Sequence, residues 1–409
     1  MKPVLHIADA LKQNRGHISF HTPGHKRTGG GDLTELSYTD NLSSPTGAIA
    51  RAEEDVARIL GAKKSFILTD GSTSGVMSML YALKRAGANS VALSPYSHKS
   101  VKNGCMLCGL KAVEITVRTL SGIPLQPSAE EIARALSGAD ALLLTSPDYY
   151  GFFPPLNEAR ELTKTAGKPL LLDGAHGAHL HFTDEYAGKY ADLWVDGAHK
   201  SLPALTQGAV VSANGEYAAF LKEAVGVLRT TSPSYPIMAS VERAVKYPRK
   251  ISIERAAQRL KRELGAIEND DWTKIVLPYG DNATRAQRYF EEHGVYPEFN
   301  DGNYLMFYLS PCTKENELKT LGALARAVPY GRIADEDIRH IACGRKTEKV
   351  LLADAVGRVC AREAGFFPPC IPLLRAGDII GADAAARLQR ADGAFGIEDG
   401  KVLVYLEEE

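Results

Sequence analysis

Seven short apolar runs, most of them separated by longer stretches with helical spacing, constrain the fold of this chain more than any other feature. They are Ser65 to Thr69 (SFILT), Ser90 to Ser94 (SVALS), Ala112 to Val117 (AVEITV), Ala141 to Ser146 (ALLLTS), Pro169 to Asp173 (PLLLD), Asp192 to Asp196 (DLWVD) and Gly208 to Ser212 (GAVVS). Several are apolar without alternation, the pattern of strands covered by helices on both faces. Between them, Thr73 to Arg85, His98 to Leu110, Ser128 to Leu136 and Leu156 to Ala166 suit crossover helices. Strand, helix, strand in series predicts an α/β domain with a mostly parallel sheet of about seven strands.

After Ser212 the rhythm changes. A helical stretch runs from Ile237 to Ile267 and is expected to kink or break near Pro248. Asn282 to His293 reads as a helix, Tyr304 to Leu309 (YLMFYL) as a strand and Glu315 to Val328 as a helix. Val350 to Ala364 is expected to be another helix, and Lys401 to Leu406 (KVLVYL) a last strand. These patterns divide the chain into an N-terminal segment, 1–49, a large domain, 50–245, and a smaller α+β domain, 246–409.

Composition narrows the function. Lysine plus arginine total 48 against 49 acidic residues, a formal net charge of −1. A protein that grips a phosphate backbone is normally far more basic. No apolar run approaches the roughly 18 residues needed to span a bilayer, and the opening MKPVLH leads into a polar amphipathic stretch, not the apolar core of a signal peptide. Six cysteines in 409 residues are too sparse for a disulfide scaffold and fit a reducing cytoplasm. A cytosolic enzyme is the class that remains, with no nucleic-acid or membrane partner expected.

The best single chemical feature is Asp196-Gly197-Ala198-His199-Lys200-Ser201, just beyond an apolar run. A lysine at the carboxyl end of a parallel strand faces the crevice where α/β proteins bind ligands. Partial desolvation there lowers its proton affinity and allows a Schiff base to form. A lysine taken at random is a solvated surface group, so the position must be judged by its partners. Asp70-Gly71-Ser72-Thr73-Ser74-Gly75 opens a helix after SFILT, where free N–H groups and hydroxyls can cradle a phosphate; the same residues also cap helices with no ligand. Asp173 ends PLLLD and can hold a pyridinium nitrogen protonated, or serve as an ordinary strand-end aspartate. His98, after SVALS, can lie on a planar cofactor or simply cap the helix that follows.

Eight segments together resemble the ornithine/lysine/arginine decarboxylase family of fold-type-I pyridoxal-phosphate enzymes, in its short bacterial form. They are His21-Thr22-Pro23-Gly24-His25-Lys26, Gly71-Ser72-Thr73, His98-Lys99-Ser100, Ser146-Pro147-Asp148-Tyr149-Tyr150-Gly151 and Asp173-Gly174-Ala175-His176-Gly177. His199 to Gln207 (HKSLPALTQ), Thr230 to Tyr235 (TTSPSY) and Phe367 to Pro372 (FPPCIP) complete the set. The likeness runs in order over nearly the whole chain, tightest in the central block.

The resemblance implies an aspartate-aminotransferase-like large domain that binds pyridoxal 5'-phosphate, and decarboxylation of arginine, lysine or ornithine to the amine and carbon dioxide. It implies a Schiff base on Lys200, Asp173 on the pyridine nitrogen, His98 on one ring face and Ala175 on the other. Ser72, Thr73 and His199 would hold the phosphate, and His176 would sit near the substrate carboxylate or the ring. Protonation at Cα would come from Lys200 or His98. A homodimer is implied, with residues 1–49 contributing to it and the segment containing Thr231 and Ser232 reaching the neighbouring site. Glu298 and Asp301, beside YLMFYL, are candidates for meeting a basic side chain. A place in polyamine metabolism or acid resistance goes with this reading. Three positions depart from the family pattern: Gly174 where an acidic residue is usual, Gly197 where a serine is usual, and Cys370 where a glycine is usual.

Other readings stay open at this level. An aminotransferase or another pyridoxal-phosphate lyase would use the same lysine and aspartate, because the pocket and not the sheet selects the reaction. His176, His179 and His181 after Asp173, or His17, His21 and His25, could be imagined as ligands of a metal hydrolase. Gly177 argues for a turn among the first three, and no metal is expected. Cys105 and Cys108 lack a second ligand pair and read as small buried side chains. A non-catalytic binding protein has only the glycines at 174 and 197 in its favour, and retention of Lys200 opposes it.

Overall fold

The computed structural model describes residues 3–13, 16–26, 28, 31–94, 96–117, 119–333, 347–366, 371–391 and 393–406. All seven apolar runs form one sheet. Its strands are β1 (Lys64–Leu68), β2 (Ser90–Leu93), β3 (Lys111–Glu114), β6 (Leu142–Thr145), β7 (Leu170–Gly174), β8 (Leu193–Asp196) and β9 (Ala209–Ala213). A short hairpin, β4 (Thr119–Leu120) and β5 (Ile123–Pro124), lies between β3 and β6 in the chain. The spatial order is β1-β9-β8-β7-β6-β2-β3. Strands β3, β2, β6, β7 and β8 run parallel, whereas β9 is antiparallel to both β8 and β1.

Helices cover both faces, which is why the runs do not alternate. On one face α3 (Gly71–Arg85), α4 (Lys99–Cys108) and α8 (Tyr217–Leu228) bury Val76, Met79, Val101 and Leu221 against Leu143, Leu171 and Val195. On the other, α1 (His6–Gln13), α2 (Ala48–Leu60), α5 (Ala129–Ser137), α6 (Leu156–Ala166) and α9 (Tyr235–Val245) pack on Leu142, Leu144, Leu170, Leu172 and Trp194. A capping box starts α5: the Glu131 N–H donates to Ser128 Oγ, and the Ser128 N–H donates to Glu131 Oε2. Helix α9 ends before Pro248 and α10 (Ile251–Leu264) begins after it. A proline inside a continuous helix would remove a hydrogen bond and clash with the preceding turn.

Beyond α10, strands β10 (Lys274–Leu277), β11 (Phe299–Asn300) and β12 (Leu305–Tyr308) form an antiparallel sheet in the order β10-β12-β11. It is backed by α10, α11 (Ala283–Glu292) and α12 (Glu315–Ala325). A last core joins α13 (Ala382–Arg390) to two small sheets. One holds β13 (Thr347–Leu351), β17 (Ile397–Glu398) and β18 (Lys401–Tyr405); the other holds β14 (Ala364–Phe366), β15 (Ile371–Leu374) and β16 (Ala394–Phe395).

The helix expected over Val350 to Ala364 is not there. Val350 pairs with Val402 at the end of β13, Leu352 to Ala355 make a 3-10 turn, and Gly357 has φ of +86°. Val359 and Cys360 then bridge to Ile379 and Val404. The apolar spacing that suggested a helix is satisfied by partners up to about fifty residues away in sequence, which local periodicity does not register. Among the described residues no helix is long and apolar enough to cross a membrane.

Candidate active site

The chemistry-bearing residues converge because the sheet brings four strand ends to one edge. Helix α3 starts just after β1, His98 follows β2, Asp173 lies in β7, and Lys200 sits in the short helix α7 (Ala198–Ser201) after β8. Together they line a cavity of about 340 Å³ that also takes in Ser72, Thr73, Ala175, His176, His199 and Glu298. This is the crevice at the carboxyl ends of parallel strands where open α/β sheets bind ligands.

Lys200 is half-buried, and its Nζ lies 3.0 Å from His176 Nε2. Burial pushes its proton affinity below that of an ordinary lysine, with Lys274 acting in the same sense; Asp173 and Glu298 oppose it. Such a lysine is a better nucleophile near neutrality than a solvated one. His176 is neutral for the same reasons: burial lowers its pKa well below the ordinary value, and the charges of Lys200 and Lys274 add to this. Its ring stacks on Tyr308, with centroids 5.4 Å apart and planes 18° apart, and meets Tyr149 edge-on at 5.0 Å. Its Nδ1 has no hydrogen-bond partner among the described residues.

Asp173 is buried, and the Ala175 N–H donates to its Oδ1 at 3.1 Å. His98 has the capping role its position allowed. It faces the cavity and also caps α4, its Nδ1 accepting the Ser100 N–H at 3.2 Å. Burial lowers its pKa, Asp173 resists, and Lys200 and Lys99 lower it further.

The start of α3 is shaped for an anion. Gly71 has φ of +84°, and its N–H is held by the Gln207 carbonyl at 2.9 Å. Ser74 Oγ donates to Asp70 Oδ1 and to the Gly71 carbonyl, which leaves Ser72 and Thr73 as the cavity-lining hydroxyls. The first N–H groups of a helix have no intrahelical acceptor and favour negative charge. Helix α3 lies close against β1 and β8: a Cβ on Gly75 would stand 2.5 Å from Val195 Cγ2 and 2.9 Å from Leu68 Cδ1. His199 lines the same side, with Nδ1 on the Gly208 carbonyl at 3.0 Å. Hydroxyls and a helix start for a phosphate, a buried carboxylate, flanking His98 and Ala175, and a desolvated amine make a donor set that fits pyridoxal phosphate.

The remaining sequence candidates separate. Glu298 lines the cavity and accepts from the Tyr149 hydroxyl at 3.1 Å. Asp301 does not join it. It is fully buried, ion-paired to Arg387 at 2.8 Å and hydrogen-bonded by the Tyr150 hydroxyl at 2.6 Å, so its charge is already matched inside the chain. Thr231 and Ser232 are exposed and lie outside the cavity lining. The imagined metal clusters do not assemble: His179 Nε2 pairs with Asp271 Oδ1 at 3.0 Å, while His181 Nδ1 meets the Ala178 carbonyl at 2.8 Å. His17 and His21 have separate hydroxyl partners, Tyr38 and Thr34. Among the described residues no group of three or more His, Cys, Asp or Glu could hold a metal.

Two unusual glycines have steric reasons. A Cβ on Gly197 would fall 2.3 Å from the Ala175 carbonyl oxygen, and one on Gly174 2.9 Å from that of Val195. The ends of β7 and β8 are too close for side chains at either position. Cys370 lies outside the described residues. Sequence reasoning assigned no role to Tyr149, Gln207 or Tyr308. Tyr149 belongs to a quoted motif, but Tyr308 comes from a distant strand and left no local signal.

Comparison with known proteins gives a family and a fold. The family described as "Orn/Lys/Arg decarboxylase, major domain" matches residues 30–269. A Bacillus subtilis protein named only as uncharacterized is 27% identical over the full length of both chains. The arginine decarboxylase of Bacillus anthracis is 26% identical, covering 90% of this chain and 89% of its own. Among solved structures, the constitutive lysine decarboxylase of Escherichia coli superposes with a TM-score of 0.75 at 20% identity, over 98% of this chain and 82% of that one. This last likeness concerns the fold.

Proposed function

Because this chain belongs to the Orn/Lys/Arg decarboxylase family, we propose that it decarboxylates one basic amino acid, arginine, lysine or ornithine, to the corresponding amine. The observation that carries the reading is the desolvated Lys200 amine, 3.0 Å from a neutral His176, in one cavity with the buried Asp173. Enzymes of this family depend on pyridoxal phosphate. When bound, that group supplies an electron sink for the pair left behind as carbon dioxide departs.

The chain's own residues then have these roles. Lys200 would hold the group covalently through Nζ. Ser72, Thr73 and His199 would bind its phosphate, with the start of α3 adding favourable dipole. Asp173 would keep the ring nitrogen protonated, which raises the capacity of the sink. His98 and Ala175, which line the cavity, would exclude water from the ring. His176 Nε2 exchanges a proton with Lys200 Nζ, so that the lysine can alternate between nucleophile and acid. Lys200 or His98 would deliver to Cα the proton that takes the place of the departing carboxylate. Glu298, the carboxylate at the cavity besides Asp173, meets the distal cation of the substrate.

A homodimer completes this reading, with Thr231 and Ser232 reaching a neighbouring site. The test is to incubate the purified protein and pyridoxal phosphate with each of the three amino acids and to quantify carbon dioxide and amine, beside a Lys200→Ala variant. Product from one substrate, lost in the variant, is the expected result. No carbon dioxide from any of the three, or keto acid in its place, overturns the proposal.

A further inference from the structure

At the start of β10 and against the end of β12 lies a buried charged cluster that the proposed chemistry has not used. Lys274 is fully buried, and its Nζ is 2.5 Å from Oδ2 of the equally buried Asp271. Asp271 also receives His179 Nε2 at 3.0 Å and the Thr273 N–H and hydroxyl at 2.9 and 2.8 Å. Lys274 is paired with Tyr308 in the antiparallel register, and its Nζ lies 5.0 Å from the centre of that ring. Tyr308 stacks on His176, and His176 contacts Lys200. A buried ion pair carries a desolvation cost that apolar residues of similar volume avoid.

We propose that Lys274 is a positioning residue for Lys200: its buried ammonium, one aromatic stack away, disfavours a second positive charge on the Lys200 amine and so keeps that amine in its reactive neutral form. A neighbouring cation is a known means of activating a lysine nucleophile. The charges acting on Lys200 are Asp173 and Glu298, which favour its ammonium, and Lys274, which opposes it together with burial. The imidazoles of His98, His176 and His199 complete its titratable surroundings. Around Lys274 itself stand Asp271, Asp148, Lys261 and the phenol of Tyr308. Asp271 neutralises the cluster as a whole, but its contacts run to Lys274, His179 and Thr273, whereas Lys274 presents its charge to the Tyr308 face.

The inference rests on Lys200 being the reactive amine, and the two can fail separately. The experiment labels the full-length apoprotein with acetic anhydride from about pH 6 to pH 11 and quantifies the Lys200 peptide by mass spectrometry. Lys274→Met is expected to raise the half-labelling pH of Lys200 and to slow labelling below it by about threefold or more, equivalent to about half a pH unit. Lys274→Arg, which keeps the charge, is expected to restore the wild-type profile. If Lys274→Met does not fold, Lys274→Met/Asp271→Asn removes both charges together and is expected to show an upward shift of the same sign but smaller, because loss of the Asp271 carboxylate opposes it. A half-labelling pH that does not move in a folded variant lacking the Lys274 charge overturns the inference. Wild-type Lys200 that labels no faster than surface lysines at neutral pH overturns it as well, by removing the reactive amine on which it rests. Wild-type Lys200 that labels fast, followed by an unmoved variant, leaves the proposed function standing alone.

Discussion

His176 Nε2 and Lys200 Nζ are hydrogen-bonded at 3.0 Å although one follows β7 and the other follows β8. The contact depends on the parallel pairing of those strands, with Asp173 beside Val195 and Gly174 beside Asp196. It is reinforced from outside the sheet, where Tyr308 stacks on the imidazole and donates its hydroxyl to the His176 carbonyl at 3.3 Å. A neutral base held against a desolvated amine is the arrangement that proton exchange requires.

Replacing that base tests the arrangement. His176→Asn is expected to lower kcat for amine formation by about a hundredfold or more, the scale of a lost general acid–base group. Cofactor content, read from absorbance of the purified protein, is expected to stay near wild type, because Asp173 and the residues proposed to bind the phosphate are untouched.

Gly197→Ser introduces the side chain that the family resemblance leads one to expect at that position, yet here it is expected to harm the protein. Its Cβ would lie 2.3 Å from the Ala175 carbonyl oxygen. Overpacking of this kind costs about 1–3 kcal/mol. A lower urea midpoint is expected, with faster loss of cofactor on dialysis because Ala175 lines the cavity.

Glu298 and Asp301 are expected to behave oppositely. Asp301→Ala leaves Arg387 buried without its counter-ion and is expected to cost about 3–5 kcal/mol in urea unfolding. Glu298→Gln is expected to leave the midpoint nearly unchanged and to raise KM for the basic substrate by about tenfold or more, as for a lost charged hydrogen bond. The two results together separate a structural carboxylate from one that meets substrate.

Stability against pH reports on Asp196. Burial pushes this carboxyl from 3.8 up to about 7, against the lowering influence of the Tyr186 and Trp194 hydrogen bonds, with Asp173 adding to the rise. Between those values the folded chain holds a proton that the unfolded chain has released, so this group's contribution to stability falls as pH increases through the window. Asp196→Asn is expected to show a shallower decline of unfolding free energy from about pH 4 to pH 7. Asp148, pushed up to about 6 by burial, leaves a residual slope of the same sign in both proteins. An unchanged slope in the variant would refute the assignment to Asp196.

The seven runs are strands because unbroken apolar stretches must be covered on both faces, and each run carries that information in itself. Asp173, His98, Lys200 and the Ser72-Thr73 turn were legible because each ends a strand or starts the helix after one. Val350 to Ala364 misled because its apolar positions answer to β18 and Ile379, not to one another. Asp301 looked equivalent to Glu298 because its partner Arg387 is 86 residues further along the chain.

The sequence by itself determined the α/β sheet, the strand ends at which the candidate site residues sit and the resemblance that names the family. Those depend on periodicity and on motifs a few residues long. Only the tertiary structure decided which carboxylate faces the cavity, why Gly174 and Gly197 must be glycines, and that Lys274 and Tyr308 stand behind His176. Burial and ion pairing between residues tens to hundreds of positions apart set those outcomes, and neither leaves a trace in local sequence until the chain has closed on itself.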